Sequence, residues 1–162
     1  MSQKQPTIAG CDIDKCVRAI EPKFLQGEGD IMAQAYRYVV DYEEDVRKAF
    51  EKLRRRVFES GKFFGAEFSP ESPEKAVELT KPVGTRSILD IVSISDRPQY
   101  CYAAAFTPDE MRRFFGTDRP TLPAVQQCEK VWDAIDRGSA RYVVVYEGDT
   151  PRSIVFLGYS FD

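Results

Sequence analysis

Two charged residues interrupt a largely apolar run, residues 84–95 (GTRSILDIVSIS): Arg86 and Asp90. Charges in apolar surroundings must be paired or hydrogen-bonded, and groups held this way are the ones whose proton affinity shifts. One reading is a polar pocket in which Arg86 binds an anion or carboxylate and Asp90 serves as acid or base. The other is a pair of strand-end charges that reach solvent or local partners. On an extended chain the two residues lie ~13 Å apart, too far for direct pairing. Asp118 and Arg119 sit in a polar loop, residues 116–121, between two helical patterns. Such loops either carry binding residues or only cap helices. Cys11 and Cys16 have a spacing that zinc sites use, but a closed site needs two more ligands. Cys101 and Cys128 fall on a predicted strand and a predicted helix, so ordinary thiols are the simpler account. No metal and no cofactor are expected.

Composition removes other chemistries. The chain of 162 residues contains no histidine, which excludes Ser-His-Asp and Cys-His catalysis and histidine metal sites within it. Neither GxxxxGK[ST] nor GxGxxG occurs, so the common phosphate-cradling loops are missing. The net charge of −3 argues against a global nucleic-acid footprint. Arg54, Arg55 and Arg56 are consecutive on a helix and spread over roughly 200° of arc, so they read as a solvated face. No apolar run approaches a membrane span, and the start, MSQKQPTIAG, lacks the pattern of a secretory signal. Four cysteines without a framework spacing suit a reducing cytosol.

The elements that position these residues follow from periodicity. Tyr36, Tyr38 and Val40 alternate with Arg37, Val39 and Asp41 in a strand. The period then changes: Val46, Ala49, Phe50, Leu53, Val57 and Phe58 make one helical stripe, with Asp41 as the expected cap and Gly61 as the stop. Ser72-Pro73 opens a short helix, and Thr107-Pro108 with Glu110 forms a capping box before another. Residues 85–95 carry apolar residues on both faces, the pattern of an inner strand, and residues 99–106 suit a partner strand. Thr121 caps a longer helix reaching Arg137, with Val125, Cys128, Val131, Trp132 and Ile135 on its apolar side. Residues 141–147 and 152–159 flank a loop of about four residues in a hairpin. Residues 1–32 read as an N-terminal arm with a short helix and a linker, and residues 33–162 as a single compact domain. The expected class is α+β, with a mainly antiparallel sheet of four or five strands covered by two longer and two or three short helices.

The run GTRSILDI (84–91), the closing GYSFD (158–162) and the strand–helix unit 36–61 resemble a family of small uncharacterised bacterial domains. The resemblance implies bacterial origin and a soluble domain, with no activity to carry over. Tyr36, Tyr38, Tyr100, Tyr102, Tyr142, Tyr146 and Tyr159 all fall on predicted strands, where a sheet face rich in tyrosine suits a protein partner. The functional expectation is a non-enzymatic cytoplasmic interaction or regulatory domain, with Tyr36 and Tyr38 as contact residues. The alternative is a small-molecule site or enzyme built on Arg86 and Asp90.

Overall fold

A computed structural model of the chain describes residues 33–161. The predicted arm, with Cys11 and Cys16, lies outside the described residues. The fold is α+β. Strands β1 (Ala35–Asp41), β2 (Ser93–Ser95), β3 (Tyr102–Ala105), β4 (Ala140–Glu147) and β5 (Thr150–Tyr159) form one sheet in the order β1-β5-β4-β3-β2. The sheet is mixed, not mainly antiparallel. β1, β5 and β4 pair antiparallel, whereas β4, β3 and β2 pair parallel. β2 and β3 are short enough that the connection 96–101 returns the chain to the same end without a helical crossover.

Both faces of the sheet are covered. Helix α1 (Val46–Ser60) buries Ala49, Phe50, Leu53 and Val57 against Tyr36, Val40, Ile154 and Phe156 on one face. Its cap is Asp45, not Asp41: the Asp45 carboxylate accepts from the Arg47 amide, and the chain does not enter the helix until Val46. Gly61 ends it at φ +66°, as its position predicts. Helix α2 (Pro73–Leu79) starts on the Ser72 cap. The opposite face carries α3 (Pro108–Phe115), which has the expected Thr107–Glu110 capping box, and α4 (Leu122–Gln127). The β4–β5 hairpin turns tightly through Gly148-Asp149, with an irregularity in register between Val145 and Tyr146.

Two predicted elements take a different form. The helix expected over 121–137 breaks at Cys128, whose backbone is extended, and resumes as a 3-10 helix, Glu129–Ala134. Val125 and Val131 are both fully buried in the same cluster. On one continuous α-helix they would sit ~120° apart, so the break re-phases Val131 onto the core. Among the described residues only α1 is therefore long. The run 85–95 is not an inner strand. Only Ser93–Ser95 joins the sheet, at its edge, and Ile88–Asp90 forms a 3-10 turn. Local side-chain bonds outcompete the ladder there, because Thr85, Ser87 and Asp90 satisfy one another and the nearby amides.

Candidate functional site

That turn builds a buried carboxylate. Asp90 is 1% exposed, and its Oδ1 accepts from the Thr85 amide and the Thr85 hydroxyl, both at 2.7 Å. Because Thr85 uses its one hydroxyl hydrogen on Asp90, Ser87 Oγ, which also accepts the Leu89 amide, is the donor to Thr85 Oγ1, 2.9 Å away. The chain of hydroxyls thus ends on Asp90. Its other oxygen, Oδ2, makes no hydrogen bond to the described residues. Burial pushes the Asp90 carboxyl up from its ordinary range and outweighs the amides of Thr85, Arg86 and Ser87 that face it.

Around Asp90 the chain adopts conformations that side chains rarely accept. Gly84 has φ +82°, Arg86 +56°, Cys101 +65° and Gly138 +70°. Such outliers persist where the surroundings over-determine them. A Cβ on Gly84 would lie 2.4 Å from the Phe161 ring and 2.8 Å from Asp90 Oδ2, and one on Gly138 would lie 2.4 Å from Tyr100 and 2.7 Å from Phe161. The rings of Tyr100 and Phe161 pack on each other at 5.3 Å. The runs 84–91 and 158–161, far apart in sequence, therefore meet at one end of the sheet.

The predicted residues separate into those this end gathers and those it does not. Tyr36 is buried, its ring lying across Gly158, where a Cβ would come within 2.4 Å of the phenol oxygen. That oxygen also lacks a partner among the described residues. Burial, and then the Asp90 charge, hold the Tyr36 phenol well above its ordinary pKa. Burial likewise pushes Tyr38 up to about 12. Neither ring is an open platform, since α1 covers that face of the sheet. Arg86 does not share a strand face with Asp90. It is half-buried, its guanidinium 5.0 Å from the centre of the Phe64 ring. Asp118 and Arg119 lie elsewhere: Arg119 pairs with Asp149 at 2.7 Å and stacks over Tyr146, beside the β4–β5 turn. β4 runs ~23 Å from the Asp90 end to that turn, so these residues do not converge. Tyr100 precedes β3 and is 64% exposed.

Sequence reasoning missed the outer shell. Val92 is 60% exposed, and its amide bonds to the carbonyl of Cys101, next to Tyr100. Phe64 is 41% exposed, its amide bonded to the Thr85 carbonyl. Two contacts, Phe64 with Arg86 and Tyr100 with Phe161, together with the exposed Val92, thus make a largely apolar fringe at the Asp90 end of the sheet. The glycines of GTRS and of RGS (137–139), both at positive φ, were its trace in sequence. Two surface grooves are lined by other residues. One, about 560 Å³, runs beside Arg47, Asp96, Arg97, Gln99 and Tyr102, and the other, about 310 Å³, beside Arg113, Phe114 and Lys130. The arginine runs of α1 and α3 lie on opposite faces of the sheet, and Arg54 is anchored by Glu74 and the Leu89 carbonyl. Among the described residues no cluster of three metal-ligating side chains occurs, and no helix is long and apolar enough to cross a membrane. No protein-family model, curated protein or solved structure matches the chain.

Proposed function

We propose that the chain is a bacterial, cytoplasmic protein-binding domain, and that its contact surface is the apolar fringe at the Asp90 end of the sheet. One observation carries this: Tyr100 and Val92, each more than half exposed, sit on backbone locked by Cys101 and Gly138 in left-handed conformations. Large apolar side chains on a rigid frame lose little freedom on binding, which is what a contact residue requires. The test is photo-crosslinking from position 92 in the native host. A discrete crosslinked partner is expected, and Tyr100→Ser should abolish it in a chain that circular dichroism shows to be folded. A crosslink indifferent to Tyr100→Ser would overturn the proposal.

The unpartnered Asp90 Oδ2 and Tyr36 Oη favour a second reading, a small-molecule site beneath Tyr100 and Phe161. Entry there requires those two rings to move. It predicts that a Phe161→Ala chain takes up a small polar ligand from a metabolite-sized library, as seen by Asp90 and Thr85 chemical shifts. Shifts confined to the surface would dismiss it.

A further inference from the structure

The two edges of the sheet are unlike. β2 exposes only Ser93–Ser95, followed at once by Asp96, Arg97 and Pro98. Shortness, charge and proline are the usual protections of an edge. β1 is a seven-residue edge strand, AYRYVVD, with no proline, glycine or lysine.

The hydrogen-bond pattern shows which of its groups face outward. The Tyr42 amide bonds to the Arg152 carbonyl, and the Ser160 amide to the Gln34 carbonyl. Antiparallel pairing alternates, so the even-numbered residues of β1 bond to β5. The amides and carbonyls of Ala35, Arg37, Val39 and Asp41 therefore point away from the sheet, and no described residue bonds to them through its backbone. Their side chains share the α4 face.

We infer that a second copy of this chain pairs antiparallel along the outer edge of β1, about a two-fold axis through Val39. In this register Val39 opposes Val39, and Arg37 of each copy opposes Asp41 of the other. Every outward amide between Arg37 and Asp41 gains a carbonyl, and the two sheets become one. Charge selects the register. Moving the two-fold axis by two residues, from Val39 to Arg37, sets Arg37 against Arg37, and like charges directly opposite are unfavourable. Side chains directly opposed across an antiparallel pair emerge on the same face, so Asp41 arrives beside the Arg37 guanidinium. That guanidinium is held by the Gln126 carbonyl at Nη1 and by Trp132, and its Nε has no partner among the described residues. Asp41 is exposed and makes no ion pair among the described residues.

Sedimentation velocity of the full chain tests this. The wild type is expected to sediment as a dimer. Asp41→Lys, which sets like charges opposite Arg37, should weaken the dimer by about tenfold, because the two-fold counts each pair twice. Arg37→Glu combined with Asp41→Lys should restore it. Val39→Pro removes the central outward donor and should give a monomer with unchanged circular dichroism, since proline is tolerated on an edge. A wild type that is monomeric at every concentration overturns the inference. So does a dimer that both Asp41→Lys and Val39→Pro leave intact, or slow amide exchange at Arg37, Val39 and Asp41 in a monomer.

Discussion

Two buried charges stand on opposite faces of one sheet and are treated in opposite ways. On the α3 face, Arg141 is 2% exposed, and every arm of its guanidinium is used. Nε donates to the Ala104 carbonyl, Nη1 to Glu110 and the Ala134 carbonyl, and Nη2 to the Ala105 carbonyl and Glu110. Its plane lies 4.5 Å from the Phe106 ring centre. On the α1 face, Asp90 is as deeply buried but keeps one oxygen without a partner among the described residues, beside a tyrosine in the same condition. A satisfied buried charge ties elements together, here α3 to β3 and β4. An unsatisfied one is a cost that the fold must offset elsewhere, and such costs concentrate where a surface is put to use.

The largest effect should come from breaking the satisfied pair. Glu110→Ala leaves the Arg141 charge buried without its carboxylate and also removes half of the α3 capping box. Urea unfolding should show a loss of ~3–5 kcal/mol. A loss below ~1 kcal/mol would mean that water reaches Arg141 and would erase the contrast. Next, Thr85→Val deletes the hydroxyl that donates to Asp90 and should cost ~1–3 kcal/mol.

Acid titration sharpens the comparison, because the two carboxyls are pushed in opposite directions. Glu110 is held below its ordinary range: its partial burial works against this, but hydrogen bonds from Arg141 and the Thr107 amide prevail. Its contribution is present above the unfolded pKa and is lost as pH falls through the lower folded value. Asp90 is raised by burial, so its contribution is greatest below the unfolded pKa and is lost as pH rises through the folded one. Asp90→Asn removes that dependence. The stability of wild type relative to Asp90→Asn should therefore fall as pH climbs through the carboxylate range. A constant difference would place Asp90 in an ordinary environment. The smallest effect belongs to Tyr36→Phe: deleting an unpartnered buried hydroxyl should be neutral or stabilise by up to ~1 kcal/mol in the same unfolding assay. A clear loss would reveal a partner for that hydroxyl.

What could be read from sequence was whatever repeats along one element. The α1 stripe, the glycine stop at 61, the caps of α2 and α3 and the final hairpin each depend on neighbours within a few residues. The Asp90 turn was misread because apolar residues on both faces of 85–95 fit a buried turn as well as a buried strand. Thr85, Ser87 and Asp90, residues that bond their own backbone, were the signal against a ladder. The break at Cys128 needed the knowledge that Val125 and Val131 face one core. The Arg141–Glu110 pair joins residues 31 positions apart, and no local pattern announces it. Of the candidate residues, Tyr36, Tyr38 and Asp90 lie near one another, the Arg86 guanidinium lies over Phe64, and Arg119 belongs to the far end of β4.

The contrast between the two faces can be measured in one experiment. Carboxyl carbon shifts of Asp90 and Glu110, followed by NMR through an acid titration of the folded chain, report both groups under identical conditions. Glu110 should titrate below the ordinary carboxylate range and Asp90 above it. Asp90 titrating at or below Glu110 would contradict the account, because the α1-face carboxylate would then be as well satisfied as the pair beneath α3.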